Sequence, residues 1–347
     1  MNKKILATFS TDWHIKDDNA EQIIDLVTQQ CELNKKLKCS YIICLGDVFN
    51  SRKSQTLLVL NTFGKILDII ESYEMYLWCI PGNHDKTSYE SEESFLDQFR
   101  YHPCFKLINK AGGLPFKDEK VFLHFLPFFS NELWLEKYEQ LIDYVGEFED
   151  NDKHILCSHI AVQGSRNNDG TKVESSIKPS MFKHFYKIFL GHYHNQQQIG
   201  GNVFHLPSIQ QNNFGENEDK GFTVLYEDGS HELIPSKFKK FVKVKIDLSE
   251  TSVEELNEYI NEYQKDTENS YIRFVISGEE EVLKGINKDK FLQAGIDIKM
   301  KNNDIDVVEE FDSVEINKYT EESIIEEFKE FCEDRSLNFE KGLKYLR

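Results

Sequence analysis

Apolar runs and helix-period stripes alternate along the first two thirds of the chain. Residues 3–10, "KKILATFS", form a short apolar run of the kind that becomes a buried strand. Ala20, Ile23, Ile24, Val27 and Cys31 then recur at helical spacing, and "YIICLGD" at 41–47 predicts a second strand. A helix is predicted from about Gln55 to Ile70. Its apolar residues, among them Leu57, Leu58, Phe63, Ile66 and Ile70, spread over more than one face, so it is expected to be covered both by its own core and by a second subunit. "MYLWCIPGNHD", "EKVFLHFLPFF", "HILCSH" and "KIFLGHYH" predict four further strands. The alternation predicts a layered α/β fold.

Polar residues begin where these apolar runs stop. In layered α/β folds ligands gather beyond the carboxyl ends of the strands. At those ends stand Asp12 and His14, then Asp47, then Asn83, His84 and Asp85, then His159, then His192 and His194. Singly, each has an ordinary explanation: Gly46-Asp47 as a turn, His159 as a hydrogen-bonded surface residue. Jointly, two carboxylates, an amide and four histidines, without a thiolate, suit a pair of divalent ions such as manganese, iron or zinc. Two ions about 3.5–4 Å apart need a shared ligand. Asp47 is the natural bridge.

The series Asp12-Trp13-His14, Gly46-Asp47, Gly82-Asn83-His84-Asp85, His159 and Gly191-His192-Tyr193-His194 resembles the five-part signature of the calcineurin-like metallophosphoesterases. It does so in order, spacing and strand context across about the first 235 residues. The resemblance implies a four-layer sandwich, two mixed β-sheets flanked by helices. It also implies that one ion is held by Asp12, His14, Asp47 and His194, and the other by Asp47, Asn83, His159 and His192. His84 would face the scissile phosphate and assist the leaving oxygen, and Asp85 would orient its imidazole. "TDWHIKD", "GDVFNSRKS" and "GNHDK" depart from the protein-phosphatase form of these motifs and stand closer to the phosphodiesterases.

The segment "GFTVLYEDGSHELIPSKFKKFVKVKID" reads as strands that close the first domain and leave it. Thr251 and Glu254 then suggest a capping box for a helix with Val253, Leu256, Ile260 and Tyr263 on one face, followed by a strand at 271–278. This small α/β module resembles the capping domain of SbcD-type DNA repair nucleases. From Thr320, Ile324, Ile325, Phe328, Phe331 and Cys332 line one face of a tail helix and glutamates the other. Such a helix can pack on its own domain, or dock on a partner as SbcD tails do on the SbcC-type coiled-coil ATPase. The expected domains are therefore 1–238 (nuclease), 239–305 (capping, DNA-binding) and 306–347 (acidic linker and helical tail). Asn50 departs from the histidine that SbcD-like nucleases often carry after Gly-Asp-x-Phe.

A net charge of −19 over 347 residues at first argues against a nucleic-acid partner. Between Asp304 and Glu340, however, fourteen acidic residues face three basic ones, and this stretch alone holds −11. Bound cations would make the cleft more positive. Arg52, Lys53, Lys86, Arg166 and Lys172 follow or flank the motif loops and are candidates for DNA phosphate contacts. Seven scattered cysteines with no Cys-x-x-Cys pair suggest reduced core residues. The N-terminus turns polar too soon for a signal peptide, and no apolar run approaches a membrane span, so a cytoplasmic protein is expected. The expectation is a manganese-preferring two-metal DNA nuclease, a homodimeric SbcD-like subunit of a complex with an SbcC-type ATPase. The alternative is a stand-alone phosphodiesterase or phosphatase acting on a small phosphate ester. A DNA tether with structural metals would have no use for His84 and Asp85.

Overall fold

The computed structural model describes residues 3–115, 120–145, 153–168 and 170–302. The first half of the fold runs β1 (Ile5–Ser10), α1 (Ala20–Leu37), β2 (Tyr41–Cys44), α2 (Leu57–Ser72), β3 (Tyr76–Cys79) and β4 (Phe105–Leu107). The second half runs β5 (Gly112–Pro115), β6 (Val121–Leu126), α3 (Asn131–Val145), β7 (Lys153–His159) and β8 (Lys187–Gly191). Then come β9 (Gln197–Ile199), β10 (Val203–His205), β11 (Gly221–Tyr226) and β12 (His231–Pro235). A smaller module follows: β13 (Lys240–Asp247), α4 (Val253–Tyr263), β14 (Ser270–Gly278), α5 (Glu280–Lys284), α6 (Lys288–Gln293) and β15 (Asp297–Asn302).

Two six-stranded mixed sheets form, ordered β12-β11-β1-β2-β3-β4 and β5-β6-β7-β8-β10-β9. They pack face to face through Phe9, Ile43 and Leu45 of one and Leu123, Phe125 and Phe189 of the other. The rings of Phe9 and Phe189 meet edge-on at 5.2 Å. On the outer face of the first sheet, Ile23, Val27 and Cys31 of α1 and Phe63, Ile66, Leu67 and Ile70 of α2 cover Ile42, Cys44 and Leu77. On the outer face of the second, Trp134, Tyr138 and Leu141 of α3 cover Leu156, Ile188 and Leu190. This is the expected four-layer sandwich. Helix α3, and the short strands β4, β5, β9 and β10, go beyond the elements the pattern predicted.

The module after residue 239 is a parallel sheet ordered β13-β14-β15. Ile272, Phe274 and Ile276 of β14 bury their face against Leu256 and Ile260 of α4 and Phe291 of α6. Its capping box lies one residue later than expected. Ser252 Oγ accepts from Glu255 N at 3.2 Å while Ser252 N donates to Glu255 Oε2 at 2.8 Å. Thr251 instead spends its backbone N–H on Asp247 O, closing the turn that leaves β13. The tail helix expected from Thr320, and the acidic stretch around it, lie outside the described residues.

Helix α2 does more than fill a layer. Phe63, fully buried, receives Trp13 from the loop after β1 (centroids 6.3 Å) and Phe49 from the loop after β2 (5.6 Å). Trp13 is drawn into the core, so its neighbours Asp12 and His14 face the opposite way. Among the described residues only one face of α2 is covered; at its start Leu57 is 78% and Leu58 48% exposed. All six described cysteines are free and buried. No described helix is long and apolar enough to cross a membrane.

Replacing Phe63 by alanine removes the ring on which both loops rest. Phe63→Ala is expected to cost about 3–5 kcal/mol, within the range of large-to-small core substitutions, as read from urea unfolding. A loss under about 1 kcal/mol would mean that the loops are held by other contacts.

Candidate metal centre

The loops after β1 and β2 are zipped together by their main chains. Asp12 N donates to Gly46 O (3.0 Å), His14 N to Asp47 O (3.0 Å) and Ile15 N to Val48 O (2.8 Å). Asp12, His14, Asp47 and His192 have φ of 54°, 47°, 53° and 87°, four of the six non-glycine residues with positive φ among those described. Each such residue costs energy that surrounding structure must offset, and such strain gathers at functional sites. Here it turns four polar side chains into one space. The loops also approach too closely for a side chain between them: a Cβ on Gly82 would lie 2.2 Å from Asp47 Oδ1.

Two groups of donors converge. His14 Nε2 and His194 Nε2 are 3.0 Å apart, and Asp12 Oδ1 lies 4.0 and 3.9 Å from them. Beside them, His159 Nε2 and His192 Nδ1 each stand 3.0 Å from Asn83 Oδ1. Asp47 Oδ2 lies between the groups, 3.3 Å from His159 Nε2 and 3.7 Å from His14 Nε2. Ligands about 2.0–2.2 Å from one ion stand about 3–4 Å from each other, so these spacings and this nitrogen and oxygen chemistry fit divalent cations. The seven residues predicted as ligands are thus brought together.

Each group is braced from behind. His159 Nδ1 donates to Leu45 O at 2.7 Å, which aims Nε2 into the site. His194 Nδ1 contacts Glu216 Oε1 at 2.7 Å, and Glu216 is itself paired with Lys220 at 2.9 Å, both side chains fully buried. Lys220 Nζ also donates to His194 O at 2.7 Å. Burial would raise the Glu216 carboxyl, but His194 and Lys220 outweigh it and hold it at about 2. Thr11 Oγ1 donates to Asp12 Oδ2 at 2.8 Å. None of Thr11, Glu216 and Lys220 was predicted. Glu216 and Lys220 sit in the polar run "NNFGENEDK", which carries no periodicity to distinguish them from a solvated loop.

Burial pushes His14 and His192 well below the ordinary histidine value, leaving neutral imidazoles with free lone pairs. Burial also works to raise Asp47, but His159, His84 and His14 override it and keep the carboxyl well below its usual range. His159 behaves oppositely to its neighbours: burial disfavours its charge, yet Asp47 and Asp12 lift it to about 9. In the metal-free protein it therefore carries a proton that a cation must displace.

His84 stands at the edge of this site, its ring 4.8 Å from that of His14. Its Nδ1 donates to Asn50 O at 2.6 Å, and its Nε2 accepts from Arg52 Nη2 at 3.0 Å. Arg52 Nη1 in turn donates to Tyr89 OH at 2.8 Å. The expected orientation of His84 by Asp85 is not what the structure has. Asp85 lies fully buried beneath the turn, where Oδ1 accepts from Phe49 N (3.0 Å) and Oδ2 from Gly82 N (2.8 Å). Burial and the nearby charge of Asp47 raise it to about 7. It satisfies backbone donors that have no other acceptor and so fixes the loop.

Lys86 is likewise corrected. It is fully buried, donates to Ser91 O and Phe128 O at 2.9 and 2.7 Å, and lies 3.8 Å over the Phe129 ring, out of reach of DNA. Lys53, Arg166 and Lys172 remain at the surface, and Arg166 Nη1 donates to Gly170 O within its own loop. Of the five cations, Arg52 is the one that touches the site.

The family model of calcineurin-like phosphoesterases matches residues 6–196. The chain is similar to the SbcD component of nuclease SbcCD from Staphylococcus epidermidis, at 23% identity over 95% of this chain and 94% of that one. It is also similar to a protein of Invertebrate iridescent virus 6 named as a phosphoesterase (244L), at 24% identity over 83% of this chain and 99% of the viral one. A solved dimetal phosphatase from Danio rerio aligns with 65% of this chain and 93% of its own, at 10% identity and a TM-score of 0.42.

Two outcomes follow from this bracing. Glu216→Gln should weaken Mn2+ binding by about 10–100-fold, the usual effect of losing the group behind a ligating histidine; calorimetry giving unchanged affinity would make Glu216 a purely structural partner of Lys220. Protonated His159, held at about 9 against an ordinary 6.5, contributes stability that is full below pH 6.5 and is lost as pH rises through 9. The metal-free protein should lose up to about 3 kcal/mol over that window, and His159→Gln should flatten the slope. Denaturant unfolding in chelator at the two pH limits reads this directly, and an unchanged slope in the variant would assign it to another group.

Proposed function

The chain belongs to the calcineurin-like phosphoesterase family, and from that premise we propose that it is a dinuclear-metal-dependent DNA nuclease acting with an SbcC-type ATPase. The observation that carries the reading is the pair of donor groups meeting at Asp47, with His84 and Arg52 beside them. In this reading Asp12, His14, Asp47 and His194 hold one ion, and Asp47, Asn83, His159 and His192 the other. Two cations there, manganese in our proposal, would supply Lewis acidity and acidify a water for attack on phosphorus.

The residues divide the remaining work. The loop carbonyl of Asn50 holds the Nδ1 proton of His84, and Nε2, which accepts from Arg52 in the structure, serves the leaving oxygen once it has gained a proton and Arg52 has turned from it to the phosphate. Arg52 presents a fixed positive charge from the same side, and its planar fork suits a phosphoryl group. Tyr89 restrains the other guanidinium nitrogen, so less side-chain freedom is lost on binding.

Support for DNA as substrate comes from the similarity to the SbcD component of the SbcCD nuclease, which extends over 95% of this chain and hence far past the family match. We assign residues 1–238 to the nuclease domain, 239–305 to the capping, DNA-binding domain and 306–347 to the linker and tail that engage the ATPase. The exposed Leu57 and Leu58 give a homodimer an apolar patch to bury. The second reading, a stand-alone phosphodiesterase on a small ester, is favoured by the similarity to the viral phosphoesterase, which spans 99% of that protein.

Hydrolysis of a labelled linear duplex with Mn2+ separates the two. Nucleotide release should fall by about 100-fold or more in His84→Ala, and stimulation by an SbcC-type ATPase should disappear when residues 320–347 are deleted. Turnover of bis-p-nitrophenyl phosphate with DNA left intact, even with ATPase and ATP present, would establish the second reading.

A further inference from the structure

We propose that Phe214 and Gln211 are positioning residues that couple the seat of the small β13-β14-β15 domain to His194 through Glu216. The inference rests on the dinuclear-metal reading of the site. The loop between β10 and β11 has two working sides. Toward the site it delivers Glu216, whose Oε1 meets His194 Nδ1 at 2.7 Å and accepts from Asn213 Nδ2 at 2.9 Å, while Oε2 accepts from Asn212 N at 3.2 Å. Toward the small domain it delivers Phe214 and Gln211.

Phe214 is held on the small sheet from two directions. The guanidinium of Arg273 on β14 lies 4.1 Å from the centre of its ring, and the ring of Phe241 on β13 meets it edge-on at 4.9 Å. Phe241 packs in turn on Tyr271 of β14 at 4.7 Å. Gln211, 2% exposed, makes the same junction with hydrogen bonds. Its Oε1 accepts from Phe241 N at 2.9 Å, and its Nε2 donates to the main-chain oxygen of Glu216 at 2.9 Å. One side chain thus ties β13 to the residue that orients His194.

These contacts are close and in series, those of Gln211 buried and those of Phe214 half-buried, so a shift of the small sheet must be absorbed within residues 211–216. Glu216 is the least free to absorb it, because its carboxylate is also paired with buried Lys220. The His194 group of ligands, Asp12, His14 and His194, therefore depends on the docking of the small domain. The group formed by Asp47, His159 and His192 has no contact with this loop among those described and does not.

The experiment is a Mn2+ titration of the full chain after chelation, followed by calorimetry and by the electron paramagnetic resonance signal of a spin-coupled pair. Wild type should take up two ions. Phe214→Ala should weaken one of them by about tenfold, the lower end for loss of support behind a ligating histidine, and leave the other unchanged; Phe214→Tyr, which keeps the ring, should restore both. In a double-mutant cycle, Phe214→Ala added to Glu216→Gln should cost nothing further, since both act on His194 by one route. Wild-type affinities for both ions in Phe214→Ala, or losses that add, would overturn the coupling while leaving the metal reading intact. Absence of ion uptake by the wild type would overturn that reading itself. Should Phe214→Ala not fold, Phe241→Leu makes the same test from the sheet side, with the same outcomes for and against.

Discussion

Everything in this molecule that concerns chemistry depends on keeping one buried carboxylate, Asp47, among four imidazoles. Its Oδ2 stands 3.3 Å from His159 and 3.7 Å from His14, while its Oδ1 accepts from His84 N at 2.8 Å. Its backbone is left-handed, and its carbonyl receives the N–H of His14. A charge buried this deeply is tolerable only with partners. The partners come from four loops besides its own, so the sandwich must hold five strand ends in mutual register. The packing of Phe9 on Phe189 between the sheets, and of Trp13 and Phe49 on Phe63 outside them, supplies that rigidity.

The same constraint explains the buried polar residues that do not face the site. Asp85, Lys86, Glu216 and Lys220 are all buried, and each is paired with backbone groups, another charge or both. Loops with left-handed residues cannot satisfy their own N–H and C=O groups by regular ladders. Side chains must do it instead. Asp85 and Lys86 follow His84 directly in sequence, yet they serve the undersides of two different turns. The catalytic-looking run Asn83-His84-Asp85-Lys86 thus contributes two side chains to the cleft and two to its foundation.

This division decides what could be read from the sequence. The strands β1, β2, β3 and β6 to β8, and the helices α1, α2 and α4, announce themselves by apolar period, and the site residues by standing where those periods end. The donor groups were legible because five motif loops repeat one arrangement. Direction was not legible. A sequence shows that Asp85 and Lys86 adjoin the site, but whether a side chain points into the cleft or beneath the turn depends on φ values and on unsatisfied amides several residues away. Glu216 was hidden for a related reason: its partners His194 and Lys220 are fixed by tertiary contact, and a polar loop has no period to betray a buried member. The capping box slipped by one because both Thr251-Glu254 and Ser252-Glu255 satisfy the pattern, and the turn contact from Thr251 to Asp247 selects the second.

Asn50 shows how main-chain geometry can make a sequence departure less consequential than it looks. A histidine at this position, as in many SbcD-like nucleases, would suggest a side chain that acts on its neighbour His84. In this chain the group that holds His84 is the carbonyl of residue 50, at 2.6 Å from Nδ1. A carbonyl can only accept, so Nδ1 must carry the proton and Nε2 must present its lone pair toward Arg52. Any residue that keeps this backbone path gives the same tautomer. The carbonyl of residue 50 therefore orients His84 whichever of the two side chains, histidine or asparagine, stands there.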